Sequence, residues 1–133
     1  MKTKQIWSNL AVSDLERTTK FYTELGFKPN NSHNSKELTS FFLGDDNFVM
    51  HFFIKDKLKT GLKGELADLK HGNEVLFTLA AASKADVNQW EKEVKKAGGN
   101  IIFKPEAFGE GYYGFVFSDP DGHKFNVFYM AGL

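Results

Sequence analysis

The C-terminal part of the chain contains the turn Asp119-Pro120-Asp121-Gly122, followed by the stretch His123-Lys124-Phe125-Asn126-Val127-Phe128-Tyr129. Proline fixes φ near about −65° and glycine accepts positive φ, so this tetrapeptide predicts a tight reversal between two antiparallel strands. The turn therefore joins a strand Tyr113–Ser118 to a strand His123–Tyr129 as a hairpin.

The last strand has two different faces, because successive side chains of a strand point in opposite directions. Phe125, Val127 and Tyr129 form a nearly apolar face, which belongs against a core. Lys124, Asn126 and Phe128 form a mixed face. A mixed face of this kind either lines a ligand cavity or is a half-solvated sheet surface, and the strand by itself leaves both interpretations open.

The composition describes one domain of 133 residues with 41% hydrophobic and 26% charged residues. Seventeen basic residues balance seventeen acidic ones, so nothing predicts binding to nucleic acid or to an anionic membrane. The chain has no cysteine, which excludes disulfides, thiolate catalysis and zinc–thiolate sites. Its N-terminus lacks the apolar core of a signal peptide, and we expect a cytoplasmic protein.

Hydrophobic periodicity predicts the elements of the first half of the chain. A strand Ile6–Val12 precedes a helix that Ser13 or Asp14 caps and that runs to Leu25. Three further strands follow: Phe27–His33, Glu37–Leu43 and, after the turn at residues 44–47, Phe48–Ile54. Pro29 confines the first of these three to a sheet edge or a strand start.

The second half repeats this order after the segment Lys55–Asn73, which is either a linker or, because its leucines recur at helical spacing, partly a short helix. A strand Glu74–Ala81 leads to a helix capped by Ser83 that ends at Ala97, where Gly98 and Gly99 follow. The remaining elements are the strand Asn100–Lys104, a glycine-bearing loop Pro105–Gly111 and the final hairpin.

The order therefore recurs at an offset of about 70 residues, which predicts an α+β fold of two βαβββ modules in tandem. Module 1 covers about 1–54 and module 2 about 74–133, joined by the linker 55–73, in a single domain 1–133. We expect a concave mixed sheet with the helices outside and a cup lined by nine residues: Trp7, Asn9, His51, Phe53, Leu76, Thr78, Lys124, Asn126 and Phe128.

Three motifs in order carry a resemblance to a known family. They are Val12–Phe27, with its helix between Ser13-Asp14-Leu15 and Leu25-Gly26, then Ala97-Gly98-Gly99, and finally Asp119-Pro120-Asp121-Gly122-His123. Together they resemble the vicinal oxygen chelate superfamily, which contains glyoxalase I, bleomycin-resistance proteins and extradiol dioxygenases. The resemblance implies a pair of βαβββ modules, usually a homodimer, and in many members a divalent ion held by four inward side chains.

The metal positions of the superfamily fall on Trp7, His51, Leu76 and Asn126 in this sequence. Members that use a metal typically have His, Glu or Gln there. Trp and Leu offer a metal no lone pair, and Asn is a neutral oxygen ligand. We therefore expect no metal cofactor, with His51 and Asn126 as the residual candidates for metal ligands.

Several single residues have more than one possible interpretation. His51 is the one histidine on the predicted cup face and is a ligand contact, a catalytic base or a satisfied polar residue of the sheet. Phe108, Tyr112 and Tyr113 lie next to several glycines, in a segment that is either a mobile lid or an ordinary surface loop. The remaining histidines, His33, His71 and His123, are interpreted as surface or turn residues.

The sequence thus predicts a homodimeric glyoxalase-like or bleomycin-resistance-like protein that binds a small aromatic or apolar molecule in its cup, without nucleic acid or membrane partners. One alternative is an enzyme: a lactoylglutathione-lyase-like lyase or isomerase that uses His51 with or without a metal, or a dioxygenase. A second alternative is a domain whose cup is filled by its own side chains and that serves only assembly. The sequence does not decide whether the protein is an enzyme.

Overall fold

The computed structural model describes all residues of the chain, 1–133. Its elements in order are β1 (Ile6–Val12), α1 (Leu15–Glu24), β2 (Lys28–Pro29), a 3₁₀ helix (Asn31–His33), β3 (Leu38–Leu43), β4 (Phe48–Ile54), α2 (Lys55–Leu62), β5 (Leu76–Ala80), α3 (Lys84–Ala97), β6 (Asn100–Ala107), β7 (Tyr112–Ser118) and β8 (Lys124–Met130).

The chain divides into two compact units, Met1–Ala67 and Asp68–Leu133. Each unit contains one four-stranded sheet, with strand orders β1-β4-β3-β2 and β5-β8-β7-β6. The pairs β1/β4 and β5/β8 are parallel, and the other pairs in both sheets are antiparallel. This confirms the α+β class and the tandem βαβββ modules that the repeat predicts.

Side-chain caps fix where the two long helices begin. The Asp14 carboxylate accepts a hydrogen bond from the backbone N–H of Arg17 at 3.0 Å, so Asp14 rather than Ser13 is the N-cap of α1. Ser83 Oγ accepts from the N–H of Asp86 at 3.0 Å and caps α3 as the sequence predicts. Gly98 ends α3 at a positive φ of 97°, a conformation that glycine adopts without steric cost.

The core of the first unit lies between α1 and one face of its sheet. Tyr22 stacks on Phe52 with ring centroids 4.5 Å apart and also contacts Phe41, and all three side chains are almost completely buried. Thr19 Oγ1 on α1 donates a hydrogen bond to Thr39 Oγ1 on β3 at 2.8 Å. These contacts show which face of the first sheet packs under the helix.

The core of the second unit is formed by phenylalanines of β5, β7 and β8. Phe117 and Phe125 are buried and stack at 5.0 Å with almost parallel rings, and Phe77 contacts Phe125 at 5.3 Å. Val87 and Val94 of α3 are also buried. Aromatic pairs of this kind add about 0.5–1.5 kcal/mol each to the free energy of their buried area.

The structure differs from the sequence expectation in one strand and one loop. The predicted strand Phe27–His33 is only the two-residue edge strand β2, because after Pro29 the chain turns into the 3₁₀ helix. The predicted loop Pro105–Gly111 begins later than expected, because β6 continues to Ala107 through two shifts in its register with β7. Of the two interpretations of Lys55–Asn73, the partial helix is correct, as α2.

No helix of the structure has both the length and the apolar character that crossing a membrane requires.

Candidate functional site

Each sheet has one face under its long helix and one face that points away from it, which we call the distal face. In the first sheet, Asn9 pairs with His51, and His51 pairs with Ser40. Because side chains alternate along each strand, Trp7, Asn9, His51 and Phe53 share the distal face, while Phe52 and Phe41 face α1. The four residues that the sequence assigns to the cup from module 1 therefore lie on one surface.

The distal face of the second sheet brings together the five predicted residues of module 2. Leu76 pairs with Lys124, and Thr78 pairs with Asn126. Phe128 follows Asn126 at the next position on the same side of β8. The half-buried Phe77 and the buried Phe125 occupy the opposite face, as the alternation predicts.

His51 has an unusual environment on the distal face of the first sheet. Its Nε2 atom is buried and has no hydrogen-bond partner. Its ring lies 5.5 Å from that of His33 and 5.8 Å from that of Phe53, centroid to centroid. Burial, and secondarily the charge of His33, lowers the pKa of His51 below the ordinary value of 6.5. A neutral imidazole with an unpartnered nitrogen can accept a proton or bind a polar group of a ligand.

His33 is the neighbour that sequence reasoning missed, although it is exposed as expected. The Asn30 side-chain amide holds it in place, with Nδ2 3.0 Å from His33 Nδ1 and 3.2 Å from the buried Ser40 Oγ. Ser32 Oγ donates to Asn30 Oδ1 at 3.0 Å, which fixes the orientation of the amide. No local sequence pattern predicts the contact between His33 and His51, because it depends on the 3₁₀ helix lying next to β3.

A series of four aromatic rings lies at one end of the distal face of the second sheet, and we call Phe103, Phe108, Tyr112 and Phe128 the aromatic series. Phe103 and Phe108 contact at 6.5 Å, Phe108 and Tyr112 stack at 6.0 Å, and Tyr112 and Phe128 stack at 5.6 Å. Phe103, Phe108 and Tyr112 are each about 40% exposed, at 40%, 37% and 40%. Of the four, the sequence assigns Phe108 and Phe128 to the ligand site, points to Tyr112 only as part of the candidate lid, and does not single out Phe103.

Tyr113, which the sequence assigns to the ligand site, has its side chain on the other side of the sheet. It pairs with Tyr129, and its hydroxyl donates a hydrogen bond to Asn88 Oδ1 on α3 at 2.6 Å. The reason is the start of β7 at Tyr112, which makes Tyr112 and not Tyr113 share the face of Phe128.

Lys124 and Asn126 are half-buried on the distal face of the second sheet. Neither side chain makes a hydrogen bond or an ion pair within the protein. Both therefore have donor groups available to a bound molecule, directly beside Phe128.

Of the two interpretations of His123, a surface residue or a turn residue, the structure supports the second. It is 6% exposed, and its Nδ1 lies 2.7 Å from Oδ2 of Asp119, which is 3% exposed. The other carboxylate oxygen, Oδ1, accepts from the backbone N–H groups of Asp121 and His123. The pair stabilises the turn between β7 and β8, so the interpretation of His123 as a turn residue is correct. His71, by contrast, is exposed and pairs with Asp68 at 3.0 Å.

The residues at the metal positions implied by the resemblance do not suit a divalent ion. Trp7 and Leu76 have no donor atom for a metal, Asn126 supplies only a neutral amide oxygen, and His51 supplies a single imidazole. No group of three or more His, Cys, Asp or Glu side chains in the structure is placed to hold an ion. We therefore derive no chemical step through a metal.

A groove of about 780 Å³ lies elsewhere, between α1 and the segment 34–39. It is lined by Leu15, Glu16, Thr19, Lys20, Thr23, Glu24, Asn34, Ser35, Leu38 and Thr39. None of the predicted site residues lines this groove.

The comparison with family models covers almost the whole chain. Residues 4–127 match the model described as Glyoxalase/Bleomycin resistance protein/Dioxygenase superfamily. The chain belongs to this superfamily. The resemblance deduced from the helix and turn motifs is thereby confirmed, and the description of the superfamily names resistance proteins as well as enzymes. No curated protein matches the sequence.

Several solved structures share the fold of this chain. A hypothetical protein from S. aureus is 29% identical, with a TM-score of 0.81 over 97% of this chain and 94% of that one. A glyoxalase-related enzyme from Fulvimarina pelagi is 18% identical, with a TM-score of 0.84 and coverage of 97% and 88%. Lactoylglutathione lyase from Agrobacterium tumefaciens is 19% identical, with a TM-score of 0.69 and coverage of 97% and 95%. At 18% and 19% identity, the likeness to the two enzymes concerns the fold alone.

Proposed function

We propose that the protein binds a small planar organic molecule without chemical change, in the manner of a bleomycin-resistance-type binding protein. The aromatic series is the main contact surface. The distal face of the first sheet offers a second surface, where Trp7 and Phe53 stand beside the polar side chains of Asn9 and His51.

The observation that carries this proposal is the exposure of the aromatic series. Core packing does not require Phe103, Phe108 and Tyr112, because each keeps more than a third of its surface in solvent. Contiguous apolar surface on a soluble domain commonly marks a binding site. Two stacked contacts, Phe108 with Tyr112 and Tyr112 with Phe128, form a wall that a flat ring system can extend.

Calorimetric titration with naphthalene-sized aromatic compounds, together with saturation-transfer NMR, tests the proposal. We expect saturable binding that Tyr112→Ala weakens about tenfold, since stacking on one aromatic side chain contributes about 1–3 kcal/mol. Ile102→Ala is the matched control, because Ile102 is 43% exposed on the neighbouring strand β6 but is not part of the aromatic series. Absence of saturable binding, or equal losses in both variants, would contradict the proposal.

We also propose that the protein is a homodimer. The edge strands β1 and β5 occupy equivalent positions of the repeat, and both expose apolar residues at or just before their start. Ile6 and Trp7 are 55% and 45% exposed, and Val75 and Leu76 are 53% and 51% exposed. A second copy of the chain would remove these surfaces from water.

Sedimentation equilibrium tests the dimer. We expect Leu76→Asp to shift the wild-type dimer toward monomer, whereas Leu62→Asp, on an equally exposed leucine of α2, leaves the dimer intact. A monomeric wild-type protein would refute this part of the proposal. A dimer that binds no compound would favour the alternative of a domain that serves only assembly.

A lyase or isomerase is the second candidate, and the environment of His51 favours it. A neutral imidazole with an unpartnered nitrogen can remove a proton from a carbon next to a carbonyl group, while Asn9, its neighbour in the sheet, donates a hydrogen bond to the oxygen that becomes negative. Turnover of a 2-oxoaldehyde–thiol adduct that is lost in His51→Ala and retained in His71→Ala would establish this candidate. Wild-type protein without turnover would eliminate it for this substrate.

A further inference from the structure

The three distal-face residues of β8 are a cation, an amide and an aromatic ring, in that order along the strand. Lys124, Asn126 and Phe128 follow one another at every second position, so their Cα atoms are spaced by about 6.6 Å. The line thus runs from a cation through an amide to the ring that begins the aromatic series. A molecule stacked on Phe128 extends toward Asn126 and comes within reach of the flexible four-carbon side chain of Lys124.

Lys124 is the only lysine of the chain that is half-buried, since every other lysine is exposed. Lys28 pairs with Asp46 at 2.6 Å, and Lys95 pairs with Glu91 on α3. Lys124 is half-buried and makes no ion pair. Holding an ammonium group partly away from water without a counter-charge costs free energy, which a bound anion would recover.

The charge of the distal face of the second sheet is unbalanced around this lysine. Glu106 is the acidic residue whose register places it on this side, opposite Gly114. Gly114 in turn pairs with Phe128, so Glu106 lies at the level of the aromatic series, four residues of β8 away from Lys124. The end of the face around Lys124, Asn126 and Thr78 therefore has positive charge and hydrogen-bond donors, and the other end has aromatic rings.

Module 1 does not repeat this arrangement. The repeat that aligns His51 with Asn126 aligns Val49 with Lys124, and Val49 is buried at 1% exposure. The lysine is therefore a feature of the second sheet and not a requirement of the βαβββ module.

We propose that the ligand of the second sheet is a planar aromatic anion. Its ring system stacks on Phe128 and Tyr112, and its carboxylate or other oxyanion pairs with the Lys124 ammonium while the Asn126 amide donates a second hydrogen bond. This inference rests on the proposed binding function and adds to it the charge class of the ligand and the residue that selects it.

The test is calorimetric titration of the full-length protein with naphthoate and with naphthamide, which have the same ring and differ in charge. We expect naphthoate to bind about tenfold more tightly than naphthamide. A hydrogen bond between charged groups is roughly twice as strong as a neutral one, and the additional free energy of about 1.4 kcal/mol corresponds to a tenfold lower Kd. Lys124→Gln should weaken naphthoate binding about tenfold and leave naphthamide binding unchanged. Lys92→Gln, on an exposed lysine of α3, is the control and should alter neither.

The outcomes separate the inference from the proposed function. Equal affinity of the wild-type protein for both compounds would overturn the charge preference and leave the aromatic binder standing. Equal losses for both compounds in Lys124→Gln would show that the lysine contributes packing only, which also overturns the inference. If neither compound binds the wild-type protein, the proposed function fails together with this inference. Urea unfolding of each variant verifies that it is folded.

Discussion

The imidazole rings of His33 and His51 lie 5.5 Å apart, centroid to centroid, and meet edge to face at 69°. Asn30 anchors the first ring through Nδ1, and the sheet holds the second, whose Nε2 is buried without a partner. Two imidazole rings are thus held close together. The structure disfavours protonation of His51 for two reasons, burial and the neighbouring histidine.

Removing His33 should raise the pKa of His51. We expect His33→Asn to move this pKa upward but not fully back to its ordinary value of 6.5, because burial is the larger cause and remains. Titration of the imidazole proton resonances by NMR measures the change directly, with His71→Asn as the control variant. An unchanged pKa in His33→Asn would show that burial alone lowers it.

The same shift predicts how stability depends on pH. The unfolded chain binds a proton at His51 more tightly than the folded protein does, so the free energy of unfolding should rise with pH between the lowered pKa of His51 and the ordinary value of 6.5. Above 6.5 this contribution is fully present, and it is lost as the pH falls toward the lowered pKa. Urea unfolding midpoints of wild type and His51→Gln across this range test the sign. The difference between the two proteins should grow toward neutral pH in favour of the wild type.

The Asp119 side chain should be among the most sensitive polar positions of the fold. Asp119→Ala removes the carboxylate that accepts from the backbone N–H groups of Asp121 and His123 and that lies beside His123 Nδ1. We expect a loss of about 3 kcal/mol in the free energy of unfolding. Asp45, its counterpart in the exposed turn of module 1, provides the control, and Asp45→Ala should change stability by no more than about 0.5 kcal/mol. Similar losses in both variants would contradict this role of Asp119.

Much of the fold follows from local sequence signals. β1 and β4 have the predicted bounds, and α3 begins after Ser83 and ends at Ala97 as expected, because alternation and capping act within a few residues. The failures arise where a tertiary contact decides the local structure. Pro29 and the polar residues after it could be read as a strand end, but the 3₁₀ helix that places His33 against His51 depends on Asn30 bonding to β3.

In the candidate site, too, local sequence signals predict some features correctly and tertiary contacts decide the others. Period two places the predicted residues of each module on one distal face, since alternation needs no knowledge of the rest of the chain. The orientation of Tyr113 toward Asn88 depended on whether this residue belongs to the lid or to β7, because within the strand alternation places it on the face of Phe115 and Phe117. The burial of His123 depended on Asp119, whose side chain forms the turn around it. Whether the predicted residues bind a ligand stays a prediction.

Gly114 and Gly61 offer a matched pair of glycine substitutions with opposite expected signs. A Cβ on Gly114 would clash with the backbone carbonyl oxygen of Val127, so Gly114→Ala must displace β7 from β8 and should cost about 2 kcal/mol or more. A Cβ on Gly61 would meet nothing within 4 Å, and Gly61 lies inside α2. Gly61→Ala should therefore stabilise the protein by about 0.5–1 kcal/mol. Thermal and urea unfolding measure both, and a tolerated Gly114→Ala would show that the two strands can separate locally.

The metal content is the remaining prediction, and it follows from donor chemistry at the four positions that metal-dependent relatives use. Trp7 and Leu76 cannot coordinate an ion, and one imidazole with one amide oxygen is too weak a set to retain Zn²⁺ or Ni²⁺. We expect elemental mass spectrometry of protein prepared without chelator or affinity tag to find far less than one metal per chain. Titration with Ni²⁺, Zn²⁺, Mn²⁺ and Fe²⁺ at micromolar concentration should show no saturable binding, in wild type and in His51→Ala alike. A stoichiometric metal that disappears in His51→Ala would instead make His51 part of a ligand set that these positions do not supply, and would favour the enzyme over the binding protein.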